Sequence, residues 1–478
     1  MTKQDIDTLE DSPASRRGQP TPLRPYLFIV LECDRPTAGG ARYALTGIDE
    51  IIIGRGADRE ATRHPSGSHI KLRVCVPGRS ISSTHARLRR TGEGWLLEDA
   101  GSTNGTLVNG SPVQRVLVRD GDVIELGHTL FLLRDALASP QGIAPDLESL
   151  HSGSAPPGFL SLIPANAPRL EALTRIAKSP LPILLLGETG TGKEVIARSI
   201  HQISGRPGPF IAVNCGAIPS NLVESHLFGH EKGAFSGAIR AELGAVRAAD
   251  RGTLLLDEIG DLPVAAQPAF LRFLQDSEVS PVGSAQASRI DVRIVAATHH
   301  KLAEPSARTG FRSDLFARLS GYTYLLQPLC ERREDLGVFV AAILAKNAKV
   351  AAPNIEVTMS PAVGRYLLSN DWPSNIRELE HVLVRGLILA EEGRIELAHL
   401  LDGASEELVV GVPSSVFRLP PLSKEQLQLR AELIAQLERH NGSVTNVAKA
   451  LGKARTQVHR WIKRFEIDHR SFRGFTQH

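Results

Sequence analysis

Residues 187–193, Gly-Glu-Thr-Gly-Thr-Gly-Lys, are of the types that hold a chain of phosphates. An apolar run from Ile183 to Leu186 precedes them, and helix-forming residues from Glu194 to Ile200 follow. Glycines let successive backbone N–H groups point at one centre, the helix N-terminus adds positive potential, and the lysine reaches the outer phosphates. The pattern predicts a nucleoside triphosphate in this loop, held by Gly187, Glu188, Thr189, Gly190, Thr191, Gly192, Lys193 and Glu194.

A second motif follows some sixty residues later, where the apolar run Gly252 to Leu256 ends in the adjacent carboxylates Asp257 and Glu258. Such a pair at a strand end holds Mg2+ and polarises an attacking water. The alternative is a glycine-rich turn that only joins a strand to a helix. Both motifs in this order favour nucleotide hydrolysis.

The elements that position these residues must be spread over about three domains, since the chain has 478 residues. Hydrophobic residues make up 42% and charged residues 22%, as in ordinary globular proteins. Four scattered cysteines suggest neither a disulfide framework nor a zinc site. With no apolar run of signal-peptide or membrane-span length, we expect a soluble cytoplasmic protein without a membrane partner.

The front of the chain is predicted to be a β-sandwich over residues 23–137, after a disordered segment at 1–22. Short strand-like runs are separated by turn residues, and no helical pattern interrupts them. The runs are Tyr26 to Leu31, Ile51 to Ile53, Leu72 to Val76, Trp95 to Leu97, Thr106 to Val108, Val123 to Leu126 and Leu130 to Leu133.

Three loops of this sandwich, at residues 54–56, 81–86 and 99–110, resemble those of the forkhead-associated (FHA) family of phosphothreonine-peptide readers. A phosphothreonine needs an arginine together with hydroxyl or backbone donors. The resemblance implies phosphopeptide binding by Arg55, Ser82, Ser83, Thr103 and Asn104. The alternative is that the Asn-Gly pairs are only hairpin turns.

The stretch between Arg55 and Ser82 is long for that family and contains Arg59, Arg63 and His64. Two interpretations stay open at this point, namely additional phosphate contacts and a solvated loop.

Residues 138–157 are predicted to be a linker, and an α/β domain is expected from 158 to 404, divided into an α/β part (158–327) and a helical lid (328–404). This region resembles the AAA+ domain of sigma-54-dependent transcriptional activators, the bacterial enhancer-binding proteins. The resemblance rests on residues 187–194, 213–215, 227–238, 252–258, 310–315 and 372–379.

By motif position the resemblance implies ATP as the nucleotide, with Lys193 on its outer phosphates. Asp257 and Glu194 would belong to the Mg2+ shell, and Glu258 would activate the hydrolytic water. Asn214 would restrain that glutamate. Arg312 and Arg318 would reach the ATP of a neighbouring subunit, which implies a homo-oligomer between a dimer and a hexamer. Arg377, Thr298 and His299 would sense the nucleotide. For the arginines, surface salt bridges are the alternative.

The segment Gly233, Ala234, Phe235, Ser236, Gly237 and Ala238 flanks one aromatic residue with small ones, which predicts a loop that presents Phe235 to a partner. In the resembling family the loop grips sigma-54. The alternative is an internal anchor for a hairpin.

Four positions depart from the general motifs. Ser236 replaces a threonine, His299 replaces a sensor asparagine, and Ser374 replaces a glycine. Glu194 stands where general phosphate-binding loops have Ser or Thr.

The C-terminal region is predicted to be a second linker (405–422), an all-α helix-turn-helix domain (423–468) and a tail (469–478). Two amphipathic stripes, at Val444 to Leu451 and Val458 to Phe465, are separated by Gly452. Eight Lys or Arg and only two acidic residues lie between 449 and 473, although the whole chain has a net charge of +3. The domain resembles the Fis-type DNA-binding domain, and its predicted DNA contacts are Arg455, Thr456, Gln457, His459, Arg460 and Lys463.

These features predict an FHA-regulated, sigma-54-dependent activator that binds upstream enhancer DNA. ATP hydrolysis would remodel sigma-54 RNA polymerase, under the control of a phosphothreonine-bearing protein or a Ser/Thr kinase. Two alternatives stay open. One is a non-catalytic, nucleotide-stabilised DNA-binding regulator, and the other is an AAA+ remodeller of a target other than sigma-54.

Overall fold

A computed structural model describes residues 21–67, 69–149, 155–299, 310–351, 356–401, 432–433, 435–437, 439–440, 443–451, 458 and 461. The chain divides into two compact units, Met1–Val409 and Val410–His478. In the part of the chain that the structure describes, no helix is both long and apolar enough to cross a membrane.

The N-terminal domain is a sandwich of two sheets, as its strand pattern predicts. The first sheet has the order β13-β2-β1-β12-β11-β8-β9 and the second β10-β7-β6-β3-β5-β4, with only β3 and β5 parallel. The strands are β1 Leu23–Glu32, β2 Ala41–Ala44, β3 Glu50–Arg55, β4 Glu60–Ser66, β5 His69–Val76, β6 Ala86–Thr91, β7 Gly94–Asp99, β8 Thr106–Val108, β9 Ser111–Val113, β10 Arg115–Val118, β11 Val123–Leu126, β12 Thr129–Ala138 and β13 Leu147–Glu148.

Alternation of side chains along each strand explains the interior of this sandwich. Leu27, Ile29 and Phe131 point inward and are fully buried, together with Ile51 and Leu97 of the opposite sheet. The seven predicted runs all lie within strands. Two strands without a predicted run, β4 and β6, carry mainly polar residues on an exposed face.

The predicted linker at 138–157 is partly docked on the sandwich. Leu147–Glu148 adds a strand to β2, and Asp146 accepts a hydrogen bond from the Ala44 amide at 3.0 Å. Arg63 donates to Asp146 at 2.8 Å, and the buried Arg59 pairs with Glu32 at 2.9 Å. Both arginines therefore neutralise carboxylates of the sandwich and of the docked segment, Arg59 from a buried position and Arg63 from an exposed position on β4.

The α/β domain is built on a five-stranded parallel sheet in the order β15-β16-β19-β14-β20. Apolar clusters cover both faces of the sheet, which explains why β14 and β16 are continuous apolar runs. The elements are α1 Ala167–Ala177, β14 Ile183–Leu186, α2 Lys193–Ser204, β15 Phe210–Asn214, α3 Val223–Phe228, α4 Ala245–Ala248, β16 Thr253–Asp257, α5 Gln267–Asp276, β17 Glu278–Val279, β18 Ser288–Arg289, β19 Arg293–Thr298, α6 Ser313–Leu319 and β20 Tyr322–Leu325.

The helical lid follows the α/β part, as predicted. It contains α7 Leu336–Ala351, β21 Thr358–Met359, α8 Pro361–Ser369, α9 Asn375–Leu389, β22 Arg394–Ile395 and α10 Leu397–Leu400. Its apolar core is continuous with apolar residues on the outer face of β1 and β12, so that the sandwich and the lid share one core.

In the second unit, α11 Val444–Ala450 contributes to a small core. Val444, Val447, Ala448 and Val458 are buried with Leu433 and Leu437. The two predicted stripes thus contribute to one core, while a helix-turn-helix arrangement stays a prediction.

A buried carboxylate, Asp335, ties the start of the α/β domain to the start of the lid. It accepts hydrogen bonds from the Ser161 hydroxyl at 2.7 Å and the Leu162 amide at 2.6 Å. Burial raises the pKa of Asp335 to about 6, although these hydrogen bonds oppose the shift.

We predict that this carboxylate makes stability depend on pH. The folded state binds the Asp335 proton more tightly than the unfolded state, so the free energy of unfolding should fall as pH rises through the window from the ordinary value, 3.8, to about 6. The loss should be about 3 kcal/mol relative to Asp335→Asn, which does not titrate. Denaturant midpoints across this pH range would measure it. Asp276→Asn, at the exposed end of α5, is the control; equal pH profiles for wild type and Asp335→Asn would contradict the prediction.

Candidate functional site

The predicted phosphate loop lies between the end of β14 and the start of α2. Gly190 and Gly192 have φ of 77° and 99°, values that favour glycine. Lys193 is only 7% exposed, and its ammonium donates to the carbonyl oxygens of Gly187 at 3.0 Å and Glu188 at 3.2 Å. Burial lowers the pKa of Lys193, and the nearby carboxylates oppose that shift. The ammonium group of Lys193 is therefore held inside the loop by backbone carbonyl oxygens.

Asp257 ends β16 and Glu258 follows it, at the same edge of the parallel sheet as the loop. An oxygen of Glu258 is 4.0 Å from the Lys193 nitrogen. Glu258 has φ 49°, a left-handed conformation that is strained for a residue with a Cβ. Burial and the Glu258 charge raise the pKa of Asp257, whereas Lys193 opposes the rise. Two carboxylates and one ammonium thus meet where the strands end.

Glu258 is restrained by His299. The two side chains are 2.7 Å apart, and the His299 amide donates to the same carboxylate oxygen at 3.3 Å. Burial favours a higher pKa for Glu258, but these hydrogen bonds and Lys193 lower it overall. The side-chain oxygen of Asn214, predicted to restrain this glutamate, instead accepts from the Gly216 amide at 3.0 Å. In the described conformation it is His299, at the predicted sensor position, that restrains Glu258.

The lid contacts the phosphate loop directly. The buried Asn375 side chain donates to the Thr189 carbonyl at 3.1 Å and accepts from the Leu329 amide at 2.8 Å. The Arg377 amide donates to Gly190 O at 3.3 Å, and Arg332 donates to Thr191 O at 3.0 Å.

Sequence reasoning assigned no role to Asn375 or Arg332. Asn375 lies within the motif at residues 372–379, but its function as a bridge depends on its conformation at φ 56° and on tertiary contact. The Ser374 carbonyl lies so close to Gly190 that a Cβ there would overlap it.

The other predicted nucleotide-site residues differ in placement. Thr298 ends β19, is fully buried, and its carbonyl accepts from the Gly187 amide at 3.3 Å. The Glu194 carboxylate accepts from Arg198 at 2.7 Å on the exposed side of α2. Arg312 is exposed and pairs with Asp314 at 2.8 Å, just before α6. Arg318 is exposed near the end of that helix.

The loop at residues 233–238 closes on itself, because the Gly233 amide donates to Ala238 O at 2.9 Å. Phe235 is 37% exposed, and its ring centroid lies 5.0 Å from that of the buried His230. Ile239, next to the loop, is 84% exposed. The aromatic ring is thus partly anchored and partly available to a partner.

The predicted phosphopeptide residues lie on adjoining loops at one end of the sandwich. The Arg55 amide donates to Ser82 O at 2.9 Å, and the Thr103 amide donates to the Ser82 hydroxyl at 3.1 Å. The Asn104 side chain donates to the Ser80 carbonyl at 2.8 Å. Arg55, Ser83, Thr103 and Asn104 are exposed.

Two residues brace these loops. The fully buried His85 ring is 3.2 Å from the Ser82 amide, which donates to it, and 3.0 Å from Gly105 O. Asp99 accepts hydrogen bonds from the hydroxyls of Ser102 and Thr106 at 2.6 and 2.7 Å. Burial favours a higher pKa for Asp99, but these donors lower it overall. Arg55 and its neighbours therefore rest on a fixed framework.

The predicted DNA contacts, Arg455, Thr456, Gln457, His459, Arg460 and Lys463, lie outside the described residues. Among the described residues, no group of three or more His, Cys, Asp or Glu side chains could hold a metal ion.

Comparison with known protein families matches three segments of the chain. Residues 51–127 match the FHA domain, residues 164–324 the sigma-54 interaction domain, and residues 330–409 the AAA+ ATPase lid domain. The predicted β-sandwich of the FHA class and the predicted α/β fold with a lid are thereby confirmed.

Among curated proteins, response regulator protein FleR of Pseudomonas aeruginosa is 43% identical over 249 residues, covering 52% of this chain and 52% of FleR. DNA-binding transcriptional activator HyfR of Escherichia coli is 39% identical over 308 residues, covering 62% of this chain and 46% of HyfR. Anaerobic nitric oxide reductase transcription regulator NorR of Salmonella schwarzengrund is 38% identical over 319 residues, covering 65% of this chain and 63% of NorR. The chain thus spans about half to two thirds of the length of these relatives.

The fold, the site geometry and the family matches agree. The chain carries an FHA domain, a sigma-54 interaction domain and an AAA+ ATPase lid domain, in that order.

Proposed function

We propose that this protein is a sigma-54-dependent transcriptional activator of the cytoplasm. An oligomeric ring hydrolyses ATP to remodel sigma-54 RNA polymerase while the C-terminal domain holds upstream enhancer DNA, and the FHA domain makes the activity depend on a phosphothreonine. The observation that carries the proposal is that Lys193, Asp257 and Glu258 lie together at the strand ends. The Lys193 nitrogen is 4.0 Å from an oxygen of Glu258.

Hydrolysis requires a cation on the phosphates and a base for the attacking water. Lys193, released from its contacts with Gly187 O and Glu188 O, would bind the outer phosphates. The lowered pKa keeps Glu258 ionised, which is the form that a general base needs. Its carboxylate must leave His299 before it can accept a proton from water. Asn214 stays a second candidate for restraining it.

Mg2+ would neutralise charge on the phosphates. Asp257 fits this role because its carboxylate is part-buried at the strand end, and Mg2+ commonly takes one or two carboxylates together with substrate phosphates. Glu194 is the weaker candidate, since Arg198 already engages its carboxylate.

Two arginines predicted to reach the ATP of a neighbouring subunit support assembly into an oligomer. Arg312 and Arg318 are exposed at the two ends of α6, where a neighbouring subunit could be reached. An arginine supplied to a neighbour's phosphates contributes roughly 10³ to 10⁵ in rate in related hydrolases. A dimer-to-hexamer assembly would therefore be needed for full turnover.

The contact with sigma-54 is assigned to the loop of residues 233–238, because Phe235 stays 37% exposed on a loop that its own hydrogen bonds shape. The Ser236 hydroxyl retains the hydrogen-bonding group of the usual threonine. DNA binding is assigned to the basic C-terminal segment on the basis of its charge.

We predict that Glu258→Gln lowers the ATP hydrolysis rate by roughly 10² to 10⁴, because the base is lost. ATP binding should be retained, since Lys193 and the loop are unchanged. Phosphate release and nucleotide affinity would be measured on the full chain, with the exposed Glu278→Gln as the matched control. A wild-type protein that binds DNA but never releases phosphate would instead support a non-catalytic regulator.

A second prediction concerns Phe235. With ADP and aluminium fluoride present, wild type should bind purified sigma-54, and Phe235→Ala should lose that binding while keeping its ATPase rate within about twofold, since the ring lies outside the phosphate site. Leu181→Ala, an exposed apolar residue elsewhere in the α/β domain, is the control. Active ATPase without sigma-54 binding in wild type would indicate a different remodelling target.

A third prediction tests the FHA loops with a degenerate peptide library that has a fixed phosphothreonine. Arg55→Gln should weaken binding by about 10- to 100-fold, since a charge-assisted hydrogen bond contributes about 1.5–3 kcal/mol. Arg87→Gln, on an exposed position of β6, should bind like wild type. Equal binding of phosphorylated and unphosphorylated libraries would remove the FHA part of the proposal.

A further inference from the structure

The outer face of the first sandwich sheet is buried by the lid. Phe28, Val30 and Leu130 alternate with the inward-facing residues of β1 and β12, so they point away from the sandwich interior. All three are fully buried. They belong to one apolar cluster with four residues of the lid, Leu336, Val340, Val363 and Leu367. The apolar residues of β1 and β12 are therefore buried on both faces of the sheet, in cores of the close-packed kind found in protein interiors.

Two lid glycines make this close approach possible. A Cβ on Gly337 would overlap the backbone carbonyl oxygen of Val30, and one on Gly364 would lie 2.8 Å from the Cys33 sulfur. Neither glycine has a positive φ. Their small size is therefore required by contact with the sandwich, at Val30 of β1 for Gly337 and at Cys33 and Leu130 for Gly364, and not by the conformation of the lid helices.

Charged and backbone groups also pair across the same surface. Arg365 of the lid contacts Glu125 of the sandwich at 2.7 and 2.9 Å, and Glu125 is only 6% exposed in its side chain. Arg134 of the sandwich pairs with Glu334, whose side chain is 3% exposed. Such charge-assisted pairs fix the position of the lid relative to the sandwich.

A chain of hydrogen bonds joins this surface to the phosphopeptide loops. Asn104 donates to Ser80 O at 2.8 Å, and the Ser80 hydroxyl donates to Asp34 at 2.9 Å. Asp34 is next to Cys33, whose carbonyl accepts from the Met359 amide of the lid at 2.7 Å. The two residues that follow β1 therefore contact both a peptide-binding loop and the lid.

The lid in turn contacts the nucleotide site. Asn375 and Arg332 donate to the Thr189 and Thr191 carbonyls at 3.1 and 3.0 Å, and the Arg377 amide donates to Gly190 O.

We propose that the outer face of the first sandwich sheet is a docking surface for the chain's own lid, and that sandwich and lid move as one rigid unit against the α/β domain. A phosphopeptide bound at the Asn104 loop then acts on the nucleotide through the position of the lid. The inference rests on the proposed function for its two ligands, the nucleotide and the phosphopeptide.

Hydrogen exchange read by mass spectrometry on the full chain tests the rigid unit with ADP as the probe. If sandwich and lid form one cooperative unit, they open together, and the opened state without the lid contacts does not bind ADP. ADP at a hundred times its Kd then makes that opening about 100-fold rarer. Exchange in β1 and β12 should slow accordingly, although neither strand lies at the nucleotide site. Gly337→Val, which forces the lid away from Val30, should abolish the response in both strands and keep it at residues 187–193.

The matched control is Gly92→Val, because a Cβ on Gly92 meets nothing within 4 Å. It should respond to ADP like wild type. Since Gly337→Val could unfold the lid, a second pair of variants uses charge. Arg365→Glu and Glu125→Arg should each reduce the response, and the combined reversal should restore at least part of it.

The outcomes separate the inference from the function on which it rests. No ADP effect at residues 187–193 in wild type would remove nucleotide binding and with it the proposed function. An ADP effect at the phosphate loop and lid, without slower exchange in β1 and β12, would overturn the rigid unit alone. Unchanged ADP responses in both Gly337→Val and the single charge variants would overturn the docking surface.

Discussion

The rest of the structure depends on the lid burying two different surfaces at once. Apolar residues of α7 and α8 cover the outer face of the sandwich, while the start of α9 places Asn375 against the phosphate loop. Apolar burial of this kind is non-directional, so it needs specific polar contacts to select one arrangement. Arg365 with Glu125, and the Met359 amide with Cys33 O, provide that selection.

Much of this architecture could be predicted from the sequence. Glycine at 190 and 192 signals a left-handed backbone, and the carboxylates after an apolar run mark a strand end, because both signals are local. The FHA loops were found for the same reason, as each is a short motif with its own hydrogen bonds, such as those of Asp99.

Contacts between distant segments could not be predicted. Gly337 and Gly364 are in sequence only residues that weaken a helix, and their role is visible only when the sandwich lies beside them. For Arg59 and Arg63 the sequence leaves both a phosphate contact and a solvated loop open, because their partners Glu32 and Asp146 lie 27 and 83 residues away. His299 replaces the sensor asparagine of the resembling family, and only the fold brings its ring to Glu258.

Leu162 has a place in this architecture that constrains movement. Its carbonyl accepts from Arg42 of the sandwich at 2.7 Å, and its amide donates to Asp335 at the start of the lid. The chain enters the α/β domain at this point and leaves it a few residues before Asp335, so both covalent connections pass through one small region. Such a joint permits swinging but little sliding, and the far rim of the α/β domain, remote from the pivot, would sweep the longest arc for any given angle of rotation.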